Sequence, residues 1–211
     1  MAKKKSLIIT LCILIVGTFS ALYFLRDDFD AEGRYDSSEL NMLGVVYEDR
    51  SNITAFNEGY STTDQCPWGF VHKGIDYFFA NDSAVIAAAP GRINDIHIND
   101  YGDSVENRYH LAVEVQFNNS VFVNYVFEPW TQAEADINHQ EALLTVTEGD
   151  WIEKSQKIAT FLAIGSGAHI HFDVVENNDK PCPSRYFTSA GYTEIMEMIH
   201  GFHPTWCLCY T

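Results

Sequence analysis

The chain has 211 residues, 46% hydrophobic, 14% aromatic and 20% charged, a globular composition that excludes wholesale disorder and leaves room for one domain plus an accessory segment. Its 13 basic residues face 29 acidic ones, for a net charge of −16. Four of the basic residues lie in the first 26 positions, which hold no acid, so the remainder is more acidic still and would repel a phosphate backbone, which argues against nucleic-acid binding. Lys3, Lys4 and Lys5 precede Leu7–Leu25, a run of 19 residues without a charge. As a helix that run would be roughly 28 Å long, close to the hydrocarbon thickness of a bilayer. The lysines stay on the cytoplasmic side, which sends residues 27–211 to the outside. The segment 1–26 therefore reads as an uncleaved signal-anchor. The alternative is a cleaved signal and a secreted protein, for which Thr18-Phe19-Ser20 is only a weak cleavage site.

Residues 27–62 are polar and acidic without a sustained period and read as a stalk, with one short strand at Leu43–Tyr47. From Trp68 onward, short apolar runs alternate with turn residues. Ala84–Ala89 ends in Pro90-Gly91, and Arg92–Ile98 alternates. Leu111–Phe117 and Val121–Phe127 flank Asn118-Asn119-Ser120, which predicts a β-hairpin. Trp151-Ile152, Lys157–Leu162 and His169–Val175 continue the series, and only Glu194–His200 reads as helical. The fold class expected is mainly β and antiparallel, with a domain over 63–190 and a C-terminal extension over 191–211 carrying the short helix.

Cys12 falls in the apolar run, leaving Cys66, Cys182, Cys207 and Cys209 outside it, and four thiols allow three pairings that sequence does not separate. The Cys207-Leu208-Cys209 pair lacks the second pair of a structural zinc site, so a disulfide or a free thiol is the better reading. Cys66 could pair with His72 as a nucleophile, but a disulfide is the better expectation in an oxidising compartment. Asn52, Asn81 and Asn118 open N-x-S/T triplets of the kind that arise by chance.

Two clusters carry the chemistry. His72 and Asp76 are four apart with Gly74 between them, and His169 and His171 are two apart within His169-Ile170-His171-Phe172-Asp173. On a strand, residues two or four apart share a face, so each cluster directs its polar side chains into one space. Two imidazoles and a carboxylate suit zinc, and three protein ligands leave a fourth position for water, the pattern of a catalytic site. Either cluster alone is a weak signal in a chain with eight histidines. Together, each in an apolar strand context, they are a joint one.

The stretch His72–Ile93 resembles the opening of the lysostaphin-type, or LytM-type, zinc metallopeptidases, with H-x-G-x-D followed by V-x-A-x-x-x-G at Val85–Gly91. The later G-D-x-V-x-x-G-Q-x-I segment is matched by Gly149–Ile158 and the closing H-x-H-F by His169–Phe172, so four segments agree in order across roughly 68–187. The resemblance implies a β-sandwich-like LytM domain (a duplicated hybrid motif) with a zinc groove, acting on peptidoglycan cross-link peptides. It implies that His72, Asp76 and His171 bind Zn2+ and that His169 is the catalytic histidine. Active relatives carry a second catalytic histidine in a Y-x-H segment, and at Tyr125-Val126-Phe127-Glu128 phenylalanine takes its place. Glu128 would point to the opposite face of a regular strand from Phe127 unless a bulge turned it; His110 or His139 could fill the gap from a loop, although surface or strand-edge histidines is the better reading of both. Two functions follow: a zinc endopeptidase weakened by Phe127, or an inactive, zinc-retaining binding or regulatory module at the cell envelope.

Overall fold

The computed structural model describes Asp30 and residues 33–211, which divide between two units, the boundary lying between Tyr35 and Asp36. The expected membrane segment at 7–25 lies outside the described residues. Among the described residues no helix is long and apolar enough to cross a membrane. In the first unit, the Asp30 carboxylate accepts the backbone N–H groups of Arg34 and Tyr35.

The second unit is mainly β. Its strands are β1 (Ile53–Ala55), β2 (Tyr60–Ser61), β3 (Ile75–Phe79), β4 (Ala84–Ile86), β5 (Gly91–Asp100), β6 (Tyr109–Gln116), β7 (Val121–Glu128), β8 (Trp151–Ile152), β9 (Lys157–Thr160), β10 (His169–Glu176) and β11 (Cys209–Tyr210). Seven of them form one antiparallel sheet in the order β1-β3-β10-β7-β6-β5-β8, while β4 pairs β9 antiparallel and β11 pairs β2 parallel. The expected hairpin is present. The Asn118 side chain accepts the N–H groups of Ser120 and Val121 and closes the turn between β6 and β7.

Alternation along the central strands builds one core face. Leu111, Val113 and Val115 on β6, Val121, Val123, Tyr125 and Phe127 on β7, and Ile170, Phe172 and Val174 on β10 are all buried. Rings meet there: Tyr125 and Phe172 lie 5.2 Å apart, and Tyr77 and Phe172 6.2 Å apart, each edge to face. Each such side chain contributes about 1.5–3 kcal/mol by leaving water.

Three features differ from the sequence reading. The segment expected as a stalk over 27–62 enters the core from Leu40, and Leu43, Val46, Tyr47, Phe56 and Tyr60 are all buried. Tyr60 reaches it on β2 and the others from irregular chain, and in place of the strand expected at Leu43–Tyr47 there are single bridges from Leu43 to Phe187 and from Tyr47 to Val85. A helix, α1 (Glu134–Ala142), was not anticipated, because it buries only Ile137 and Gln140 and has no apolar stripe. The expected C-terminal helix is longer than Glu194–His200: α2 runs over Ser189–Phe202, with the Thr188 hydroxyl capping its first turn through Gly191 N–H. Cys182 and Cys209 form a disulfide, while Cys66 and Cys207 are free. The expectation of a bonded Cys66 is thus overturned. Its thiol lies in a tight turn, donating to the Phe70 carbonyl, whereas the β11–β2 pairing carries Cys209 to Cys182.

Candidate metal centre

Strand register assembles the centre. β10 runs between β3 and β7, with His171 directly opposite Asp76 and His169 directly opposite Glu128. Partners in an antiparallel pair share a face. Asp76, Phe78, His169, His171, Asp173 and Glu128 therefore emerge on the face away from Tyr77, Ile170 and Phe127. Together with Glu58, His72, Trp130 and Gly167, most of them line a groove of about 340 Å³.

His72 comes from the segment before β3 and is fixed separately. Its N–H and carbonyl pair with Ser61 on β2. The fully buried Ser61 hydroxyl also accepts the His72 N–H and Trp68 Nε1–H and donates to the Phe70 carbonyl. His72 Nδ1–H donates to the Gly59 carbonyl at 2.8 Å, which turns Nε2 toward the groove. That nitrogen is 3.3 Å from Asp76 Oδ1 and 3.0 Å from His171 Nδ1, and His171 Nδ1 is 2.9 Å from Asp76 Oδ1. One ligand atom from each of the three residues lies within 4.8 Å of the other two. Gly74 makes this closeness possible, because a Cβ there would sit 2.2 Å from His171 Cε1.

The donor set fits a divalent metal such as zinc. Each imidazole has its outward nitrogen committed, His72 to the Gly59 carbonyl and His171 Nε2 to Asp173 Oδ2 at 3.4 Å, so its inward nitrogen is the one available to an ion. Asp173 is itself buried and accepts from Lys180 Nζ at 2.6 Å and Asn124 Nδ2 at 2.9 Å. Burial alone would push the Asp76 carboxyl up, but hydrogen bonds from His171 and His72 hold it well below the usual carboxylate range. Burial likewise opposes charging of His171, yet Asp173 and Asp76 overcome it and raise the imidazole to about 10. Glu58 is pushed the other way, to about 7, by burial and by the Asp76 carboxylate beside it.

His169 stands next to this trio. Its Nδ1–H donates to the Gly167 carbonyl at 2.7 Å, leaving Nε2 directed into the groove, 3.7 Å from Asp76 Oδ2 and 3.5 Å from Glu128 Oε2. Phe78 stacks on one side of the ring, with centroids 5.1 Å apart, and Trp130 lies on another at 6.0 Å. Trp130 holds a positive φ of 61°, an uncommon conformation for a bulky residue, and packs its ring over Gly167.

The structure corrects the reading of Phe127. β7 pairs regularly with β10, and Phe127 is fully buried on the core face, opposite Ile170. It is not a groove position at all. The residue of β7 that faces His169 is Glu128, and it does so without a bulge. Its Oε2 accepts from Asn107 Nδ2 at 2.6 Å and lies 3.4 Å from His110 Nε2. His110, expected as a surface or strand-edge residue, is thus drawn to the margin of the site, and burial lowers its affinity for a proton. His139 lies on α1 and is not among the residues that line the groove. Of the surrounding groups, Asp173 was legible as the residue two past His171 on the same face. Gly59, Ser61, Glu58 and Asn107 had no such signal.

No protein-family model matches the chain, and no curated protein matches it. Solved structures do. A zinc-containing peptidase from Vibrio cholerae is 18% identical over 66% of this chain and 38% of that one, with a TM-score of 0.45. Csd3 from Helicobacter pylori is 20% identical over 70% and 35%, with a TM-score of 0.48. The antimicrobial peptidase lysostaphin from Staphylococcus simulans is 19% identical over 73% and 56%, with a TM-score of 0.47. The chain thus spans little more than a third of the length of the first two. Lysostaphin-type peptidases are among the structural neighbours of this chain.

Proposed function

We propose that this chain is a zinc metallopeptidase that hydrolyses cross-link peptides of the bacterial cell wall, held outside the cytoplasm by its N-terminal segment. One observation carries the reading: the inward nitrogens of His72 and His171 and a carboxylate oxygen of Asp76 converge beside the ring of His169 in an open groove. Those three residues would hold the ion. When bound, zinc supplies Lewis acidity, polarising a peptide carbonyl and making water a better acid. His169, oriented by the Gly167 carbonyl, presents Nε2 to take a proton from the attacking water and return it to the leaving nitrogen. Phe78 and Trp130 wall the histidine and keep bulk water from its flanks. The motif resemblance along residues 68–187 supports the substrate class.

A second reading, a zinc-retaining binding module without hydrolysis, is favoured by Glu128. An ionised carboxylate accepts hydrogen bonds and cannot donate one to an oxyanion as a histidine can. The test is to incubate purified, zinc-loaded full-length protein with peptidoglycan and with pentaglycine and to follow new amino termini. Release is expected from the wild type, and His169→Ala should abolish it while retaining zinc. Silence of the wild type on both substrates, with zinc bound, would establish the binding module instead. Protease protection in intact cells checks the topology, since a cytoplasmic domain would sink that part.

A further inference from the structure

The groove side of β7 ends in a carboxylate that is held in place with more care than a solvated acid requires. Glu128 is 9% exposed and opposes His169 across the sheet. One strong bond fixes it: Asn107 Nδ2, from the loop between β5 and β6, donates to Oε2 at 2.6 Å. Because a carboxylate only accepts, the amide must present its nitrogen here, and the Asn107 oxygen is left buried without a partner among the described residues. Asn107 is itself only 6% exposed. A buried amide that forfeits its acceptor to hold one carboxylate oxygen stabilises the chain little, and this points to a use for the carboxylate.

The two histidines near Oε2 are spaced for such a use. His110 Nε2 at 3.4 Å and His169 Nε2 at 3.5 Å are both too far for well-formed hydrogen bonds. Neither contact saturates the carboxylate, which can still accept from a molecule in the groove. The three contacts all converge on Oε2, so Oε1 takes no part in them, and the residue lines the groove.

We propose that Glu128 is a catalytic residue of this centre, orienting the attacking water by accepting one of its O–H bonds. This rests on the peptidase reading and replaces the idea of a defect at Phe127 with a His169–Glu128 pair. As the water oxygen bonds to the carbonyl carbon, one of its protons passes to His169 Nε2. The carbon–nitrogen bond then breaks, its electron pair stays on nitrogen, and nitrogen receives that proton to leave as an amine. The second water proton remains on the new carboxylic acid, which releases it to solvent. Glu128 holds that second O–H throughout and ends the cycle unchanged. Asn107 is a positioning residue, acting only through Glu128.

The experiment compares full-length, zinc-loaded wild type with Glu128→Gln, Glu128→His and Asn107→Ser on pentaglycine and peptidoglycan. Gln can keep the Asn107 bond while losing the charge. We expect kcat to fall about a hundredfold in Glu128→Gln with KM little changed. Zinc should stay stoichiometric, and the melting temperature should be unchanged or higher, since a group retained for chemistry is not retained for stability. Glu128→His should recover at least about tenfold of the loss, and Asn107→Ser should lower kcat about tenfold. Wild-type turnover with Glu128→Gln within about threefold of it would overturn the assignment while leaving the peptidase reading intact. So would loss of zinc, or a melting temperature lowered by more than about 5 °C, which would mark Glu128 as a structural tie. Silence of the wild type itself would overturn the peptidase reading, and this assignment with it.

Discussion

Replacing Asp173 with Asn tests whether the metal centre depends on the residue behind His171. Asp173 is 2% exposed, and its two oxygens are fully engaged. Oδ1 accepts from Asn124 Nδ2, while Oδ2 accepts from Lys180 Nζ and faces His171 Nε2. An amide in the same space must turn its NH2 group toward one of these donors, so a donor meets a donor in either orientation. An unsatisfied buried group of that kind costs about 1–3 kcal/mol of folding stability. The effect on the ion is separate. Without the carboxylate, no anion behind the His171 ring holds its outward nitrogen, and losing such a partner typically costs about 10–100-fold in metal affinity, or about 1.4–2.7 kcal/mol. Competition against a chromophoric chelator at neutral pH gives the affinity, and urea unfolding of the metal-free protein gives the stability. A zinc affinity within about twofold of wild type would refute the argument that Asp173 orients the ligand.

Gly74→Ala should abolish stoichiometric zinc while leaving a folded protein, because its Cβ would fall 2.2 Å from His171 Cε1 and drive the ring out of the trio; metal analysis beside circular dichroism decides, and retained zinc counts against the geometry. Zinc affinity should rise with pH. His171 is raised to about 10 and His72 is raised above its ordinary value, so below that range each ion must displace protons, and the dissociation constant should fall by about tenfold per unit for each proton released. Isothermal titration in two buffers of different ionisation enthalpy measures the protons directly, and a pH-independent affinity would contradict the charged state assigned to His171.

The elements that sequence disclosed are those whose pattern is local. Alternation over Leu111–Phe117 and Val121–Phe127, with Asn118 in the turn, is enough to write the hairpin. The convergence of His72, Asp76, His169 and His171 was legible because two-residue and four-residue spacings on strands leave few alternatives. The face of Phe127 follows from the same rule. Val121, Val123, Tyr125 and Phe127 share a parity, and that parity is the apolar one. A motif position carries no such parity, whereas the strand pattern puts Glu128 on the face opposite Phe127. The long-range features left no local trace. Leu40, Leu43, Val46 and Phe56 bury one at a time from irregular chain, and the pairing of Cys182 with Cys209 follows from β11 meeting β2.

That last contact bears on how the centre is built. Asp76 and His171 owe their mutual placement to sheet register, which the apolar face behind them secures. His72 has no such strand partner in the sheet. Its position derives from Ser61, and Ser61 belongs to a β2 strand whose other neighbour is β11. The Cys182–Cys209 bond closes a span of 27 residues and, on a chain-entropy account, is worth about 3.5 kcal/mol of stability. Trp68 and Tyr210 pack edge to face across the same junction, and Tyr60 O–H donates to the carbonyl of Lys180, the residue that pairs with Asp173. Two of the three ligands are thus set by the sheet, and the third by segments that sequence alone read as a stalk and a tail. Those segments are structural parts of the site, because a chain that bound metal through the sheet alone would lack the ligand that completes the trio.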